Sequence, residues 1–414
     1  MFKPIVVAFA LASFVANSAW SASPDPSGAP GSPGSQQSPE SPNTSAPSVQ
    51  LYGTLDLGVT RYTGVQSSDD PAVAVTNTGL SSGIGAATAF GLRGTEPLGS
   101  GLSAIFTAET GFCGAGTNQS GIASASPGAP YCSSDGFMQR KAWVGLSGGF
   151  GTLTFGKQVT AMALRQSNVD AFGDGYTGAM GNISLVGNNQ TQLALARLNQ
   201  SVVLETPNLN GLKLLAQYSF NSGTGPAAIS TGSRPDALIF DVNYAVGPLW
   251  IGATHAHYDS FPAMQVPAPK GDHPGVYRLN MVYATYDFGL LKLDAMLQHN
   301  TADGYSGDQN VWSVGAVVPH GAGALMASVA RHANSMTLEP AVIGKSTAMQ
   351  YALGYRYALS KRTSLYTSFA VINNGAASAN AAGTSFTVAS ATGSFAGVVG
   401  QRSTGFALGM THTF

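Results

Sequence analysis

From Gly405 the sequence reads GFALGMTHTF, in which Phe406, Leu408, Met410, His412 and Phe414 alternate with Ala407, Gly409, Thr411 and Thr413. A period of two belongs to a β-strand with one apolar and one polar face. A closing strand with no helix to cover its edge needs a partner. Pairing it with the first strand closes a barrel and removes both edges.

Composition says what kind of barrel. Charged residues make up 9% of the 414, against about 25% in an ordinary soluble protein, so the exterior cannot be a conventional hydrated surface. Yet mean hydropathy is only +0.09, and beyond the N-terminus no run reaches the roughly 18 apolar residues of a spanning helix. Strands that turn apolar groups to lipid and polar groups to water reconcile the two, which predicts an all-β transmembrane antiparallel barrel. The net charge of -1 leaves no basic footprint for nucleic acid.

The first 21 residues carry Lys3, an apolar stretch from Ile5 to Val15 and small residues before Ala22, the layout of a secretory signal peptide cleaved between about residues 19 and 22. Residues 22–48 are almost entirely Pro, Ser, Gly and other polar residues, a disordered linker. The barrel domain spans 49–414. Within it lie sixteen strand-like segments, from about 48–62 and 80–96 through to 402–414. Tight turns at Pro97–Ser100, Gly148–Gly151, Pro207–Asn210, Val246–Pro248, Asp287–Gly289, Pro319–Gly323 and Ala358–Lys361 alternate with longer polar connections. The long ones fall at about 63–79, 114–135, 159–196, 222–234, 260–272, 302–307, 334–345 and 375–401. Short turns at one end and long loops at the other are how outer-membrane barrels are built.

Strand faces follow from parity. Val49, Leu51, Leu55, Leu57 and Val59 share one face of the first strand, leaving Asp56 inside; Tyr351, Leu353, Tyr355 and Tyr357 face lipid in the fourteenth, with Gln350, Gly354 and Arg356 inward. The interior is expected to be polar throughout, with Trp143, Trp250 and Trp312 in the interfacial girdles.

A barrel of about sixteen strands leaves an aqueous channel. The connection 159–196 is long enough to fold inward and narrow it, carrying Asp170 and Asp174 in VDAFGDG. Parity places Arg93, Arg140 and Arg197 on the second, fourth and sixth strands facing that loop, with Glu109 and Glu205 in the same interior; these seven residues are the candidate pore constriction. Cations opposite carboxylates make a transverse field that filters ions. Lys213, Arg278, Lys292 and Arg356 are also inward by parity, which keeps a solute-selective channel open. Cys113 and Cys132 enclose 18 residues. A disulfide there would contribute about 3 kcal/mol on the loop-closure model, and two free or metal-binding thiols are the other possibility.

Several stretches together resemble the general diffusion porins of Gram-negative outer membranes, particularly their β-proteobacterial branch: SVQLYGTLDLGVTRY (Ser48–Tyr62), FGLRGTEPLGSGLSAIFTAETGF (Phe90–Phe112), RKAWVGLSGGFGTLTFGKQ (Arg140–Gln158), SVVLETPNLNGL (Ser201–Leu212), YALGYRYALSKRTSLYTSFAVINN (Tyr351–Asn374) and the terminal Phe414. The resemblance implies a sixteen-stranded homotrimeric barrel in the outer membrane, each subunit with its own pore constricted by the third loop. It implies small hydrophilic solutes, outer-membrane lipid, lipopolysaccharide and the barrel-assembly machinery as partners, with Phe414 as part of the assembly signal. Arg140 and Arg197 match pore-lining arginines, and DAFG (Asp170–Gly173) matches the usual DPFG of the constriction loop. Ala89 and Val203 stand where the family commonly has arginine.

No catalytic constellation, cofactor motif or phosphate loop is present. His255 and His257 share a face but lack a third convergent metal ligand. The leading expectation is a passive water-filled channel and not an enzyme. A solute- or anion-selective channel, or a barrel adhesin or enzyme using its outer loops, are the alternatives.

Overall fold

The computed structural model describes residues 46–67, 69–70, 72–115, 138, 140–184, 196–220, 236–259, 276–303, 306–335, 346–375, 386–388 and 397–414. The expected signal peptide, most of the expected linker, and Cys132 lie outside these residues.

The strands are β1 (Ser48–Gln66), β2 (Ala74–Ser82), β3 (Ala89–Gly99), β4 (Leu102–Gly111), β5 (Lys141–Gly148), β6 (Gly151–Val159), β7 (Arg197–Glu205), β8 (Leu212–Ser219) and β9 (Ala237–Val246). They continue with β10 (Leu249–Tyr258), β11 (Tyr277–Asp287), β12 (Lys292–Ala302), β13 (Gln309–His320), β14 (Gly323–Asn334), β15 (Ser346–Ala358), β16 (Thr363–Asn374) and β17 (Ser403–Thr413). One helix, α1 (Ala161–Asn168), follows β6. Each strand from β3 on pairs antiparallel with the next, and β1 closes the ring against β17 from Thr54↔Thr413 to Thr63↔Thr404. The terminal Phe414 adds two backbone hydrogen bonds with Gly53, at 3.0 and 3.1 Å.

Seventeen strands fill sixteen positions because the second expected strand is broken. β2 pairs with the outer half of β1 (Leu57↔Ser82 to Gln66↔Ala74), and β3 with the inner half (Ser48↔Thr95 to Thr54↔Ala89). Between them, Gly83–Thr88 leaves the ladder. Its amides find another acceptor: Ile84 N and Gly85 N donate to Asp56 Oδ1 at 2.7 and 3.1 Å. Buried backbone groups must be paired somewhere, and here one carboxylate substitutes for the missing ladder. The expected loop at 63–79 is also shorter than its sequence suggests, since β1 runs on to Gln66 and β2 starts at Ala74.

The two faces of the wall separate as alternation requires. Val49, Leu51, Val59 and Leu353 are more than half or about half exposed on the outside, whereas Asp56, Thr60 and Gln350 are wholly buried inside. Lipid is the solvent that makes such an apolar exterior stable. The interior departs from the expectation of polarity throughout. Tyr258, Tyr277, Leu279, Met281, Tyr283, Met296 and Val311 form a buried cluster with Met162 and Met180 of the β6–β7 connection. A second cluster joins Phe172, Tyr176 and Ile183 of that connection to Tyr62, Tyr366, Ile372 and Phe386.

Three side-chain placements correct the parity reading. Trp250 is inside, donating from Nε1 to Asn243 Oδ1 at 3.1 Å, so it does not belong to a lipid girdle. Arg278 is outside, paired with Asp303 at 2.7 Å. In β11 the apolar set Tyr277, Leu279, Met281 and Tyr283 is the buried one, because α1 and its flanks pack there, and this turns Arg278 outward. Trp143 shares the face of Lys141, which points to Glu109 inside, so it too does not belong to a lipid girdle.

Candidate functional site

The β6–β7 connection is the feature to which the lumen is organised. Thr160 caps α1, its side chain accepting from Ala163 N at 3.1 Å. One turn later Arg165 donates to Asp241 of β9, with Nε and Nη2 both 2.9 Å from Oδ2. Asp241 also accepts from Asn243 Nδ2 (2.9 Å), Thr254 Oγ1 (2.7 Å) and Tyr283 OH (2.7 Å), while Trp250 lies against the guanidinium at 5.9 Å. Both charges are buried, and every lone pair of the acceptor is engaged, which a buried ion pair needs if it is not to cost stability.

Beyond α1 the chain reaches strands half-way round the ring from β6 and β7. Thr177 donates to Ser368 Oγ of β16 from its amide (3.2 Å) and hydroxyl (3.0 Å). Gln350 of β15 donates to the carbonyls of Gly178 (2.9 Å) and Ala179 (3.1 Å) and accepts from Asn182 Nδ2 (3.1 Å). Tyr176 N donates to Ile84 O in the strand break. Contact is close enough to demand bare wall: a Cβ at Gly354 would lie 2.9 Å from the Phe172 ring, and one at Gly315 would lie 2.8 Å from Ala171 Cβ.

The two loop carboxylates are turned toward their own backbone. Asp170 accepts from Phe172 N (3.1 Å), Asp174 N (3.0 Å) and Met180 N (2.8 Å), and Asp174 accepts from Gly181 N (3.0 Å). Burial, reinforced by the neighbouring Asp174 charge, pushes the Asp170 carboxyl up to about 7. Burial likewise raises Asp174 to about 6, and the Arg197 charge opposes that rise. Asp174 keeps some exposure, so its shift is the more readily relieved by solvent.

On the wall, Glu109 is claimed by two cations, Arg140 at 2.8 Å and Lys141 at 2.9 Å, and accepts from Tyr52 OH at 2.9 Å. Arg93 lies one inward step nearer the short turns, donating to Gln50 Oε1 at 2.8 Å and resting 5.3 Å from the Tyr52 ring centre. Glu205 meets Lys213 at 3.6 Å. Arg197, at the start of β7, lies close enough to both Asp174 and Lys141 for its charge to act on each.

Comparison with known proteins settles the family. The family model described as a Gram-negative porin matches residues 7–377. The chain belongs to the Gram-negative porin family. It is 28% identical to an outer membrane porin protein of Bordetella pertussis over 77% of this chain and 87% of that one. It is also 28% identical to outer membrane porin protein 32 of Delftia acidovorans, over 89% and 94% respectively. Among solved structures it is similar to an anion-selective porin from Comamonas acidovorans, with a TM-score of 0.70 and 26% identity over 89% of this chain and 100% of that one. These relatives and the closed barrel place the protein in the Gram-negative outer membrane as a channel; family and fold point away from an enzyme.

In this porin the expected constriction residues fall into three groups. Glu109 and Arg140 meet each other, Asp170 and Asp174 hold the connection together with Arg197 nearby, and Arg93 and Glu205 sit apart with partners of their own. Sequence alone does not single out Lys141, Arg165 or Asp241. Lys141 stands beside Arg140, and strict alternation assigns only one of two neighbours to the lumen. Arg165 has no readable face when 159–196 is read as a loop, although Thr160 followed by Ala161–Gln166 carries an N-cap and good helix formers. A further unforeseen element is Phe386–Val388 of the β16–β17 connection, buried against His332 (ring centres 4.6 Å apart) and held by Asn374, which accepts from Phe386 N at 3.2 Å and donates to Phe386 O at 2.9 Å.

Proposed function

We propose that this outer-membrane porin passes small hydrophilic solutes and ions through a lumen narrowed by the inward-folded connection 159–196, with a preference for anions. The observation that carries the reading is the unequal use of charge. Asp170 is buried and committed to three backbone amides, whereas on the wall Arg140 and Lys141 face a single carboxylate, Glu109, and Arg197 adds a further cation. The net field in the opening is therefore positive, the sign that attracts anions. The similarity to an anion-selective porin supports the same direction.

The protein works as a homotrimer on this reading, as a solved OmpT of Vibrio cholerae does in its trimer form. Cys113 and Cys132 bond to each other in the loop after β4, and Phe414 serves the assembly machinery. The decisive experiment is the reversal potential of single channels in a planar bilayer under a salt gradient. Arg140→Gln with Arg197→Gln should shift it toward cations, and Asp170→Asn with Asp174→Asn toward anions by a smaller amount. Both shifts should shrink once the Debye length falls well below about 8–10 Å. If both double variants kept the parental potential at low salt, the connection would not line the opening.

A further inference from the structure

The strand break and the tip of the β6–β7 connection meet at one carboxylate. Asp56 of β1 is wholly buried. Its Oδ1 accepts from Ile84 N (2.7 Å), Gly85 N (3.1 Å) and Tyr366 OH (3.0 Å), and its Oδ2 from Thr411 Oγ1 (2.5 Å). Its backbone continues the pattern, Asp56 N donating to Thr88 Oγ1 at 3.1 Å and Gly83 N donating to Asp56 O at 3.0 Å. One side chain thus ties β1 to β16, to β17 and to both amides that open the gap between β2 and β3.

The same gap receives the loop. Ile84, its amide held by Asp56, turns its carbonyl to Tyr176 N. Tyr366, its hydroxyl held by Asp56, sets its ring edge-on to Tyr176 with centres 4.9 Å apart. No slack separates these parts: a Cβ on Gly85 would lie 2.7 Å from the Tyr176 ring, and one on Gly175 would lie 2.4 Å from Gly85 O. Tyr176 also holds a left-handed backbone conformation (φ 58°). Such a conformation is unfavourable for a bulky residue and persists only where its surroundings enforce it.

We propose that Asp56 is a positioning residue for the pore: by fixing the break at Gly83–Thr88 and the Tyr366 hydroxyl, it holds Tyr176 and thereby the tip of the connection at a constant distance from the opening. This rests on the reading that the connection narrows the lumen. Asp56 touches no solute. Its contribution is the steadiness of the aperture.

The test is single-channel recording of Asp56→Asn and Tyr366→Phe, each with and without a disulfide made by Thr177→Cys with Ser368→Cys, whose parental hydroxyl oxygens are 3.0 Å apart. Loss of a hydrogen bond to a charged acceptor should raise the population of the displaced tip about tenfold in Asp56→Asn, and by a smaller factor in Tyr366→Phe, which keeps the ring contact. The readout is low-frequency open-channel noise and spontaneous partial closures, and forming the link between the two introduced thiols should return both to the parental level. A merely structural loosening of the wall would not be cured by tethering the loop. Asp56→Asn channels as quiet as the parent, or noise that the link leaves untouched, would overturn the proposal. Should Asp56→Asn fail to fold, Tyr366→Phe decides by the same two criteria. Failure of the underlying reading looks different, since both charge-variant reversal potentials would then stay parental whatever the Asp56 series does.

Discussion

The two ends of the β6–β7 connection are fastened by different chemistry. At α1 the fastening is an ion pair, Arg165 with Asp241, sealed among Tyr283, Thr254, Asn243 and Trp250. At the tip it is neutral, made of amide, hydroxyl and carbonyl groups shared with Gln350, Ser368 and Ile84. A buried ion pair adds little net stability, yet losing one member strands the other charge without water. Neutral bonds each contribute about 0.5–1.5 kcal/mol and can be exchanged for water one at a time. The helical end is therefore the fixed one, and the tip is where displacement begins.

The sharpest way to break this contrast is to remove one charge. Asp241→Ala should destabilise the barrel by about 3–5 kcal/mol in denaturant unfolding, with Arg165→Met plus Asp241→Leu recovering most of the loss. A single variant no worse than the double would mean the pair is hydrated and the two ends are alike. At the tip, Gln350→Ala should cost about 1–3 kcal/mol, felt locally. Faster amide exchange at Met180, Asn182 and Ile183, with α1 amides unchanged, is the expected result.

The contrast also depends on pH. Asp170 at about 7 and Asp174 at about 6 lie above the ordinary value of 3.8, so between pH 4 and 7 the folded loop holds more protons than the unfolded chain. Docking is then strongest on the acid side and weakens as pH rises through that window. Acidification from pH 8 to 5 also removes negative charge near the opening, so the reversal potential should move toward anions. Asp170→Asn should flatten the upper part of that titration.

Much of the wall was legible because alternation and turn spacing are local properties. GFALGMTHTF reads as a closing strand before any partner is known, and it pairs with Thr54–Thr63 of β1 as a closed ring requires. Phase was harder to read. Tyr277, Leu279, Met281 and Tyr283 are as suited to lipid as to a packed lumen, and only α1, folded from a distant segment, decides between them. The break at Gly83–Thr88 was hidden for a similar reason, since its small residues pass for strand until Asp56 is seen to take their amides. Glu109 is found by parity, but of the two neighbouring cations it is Lys141 that lies on the inward face of β5, while Arg140 reaches the same carboxylate from just before the strand begins.

Gly315 and Gly354 give the wall a further meaning. Where they face Ala171 and Phe172 the barrel presents only backbone, and the loop lies against it with no room for a methyl group. On the proposed reading, the width of the passage is set in part by atoms that are missing from the opposite strands, while its sign is set by Arg140, Lys141 and Arg197. Calibre and charge thus belong to separate residues. A lineage of such channels can resize its sieve by one hydrogen-to-methyl exchange at a glycine, leaving the preference for anions as it was.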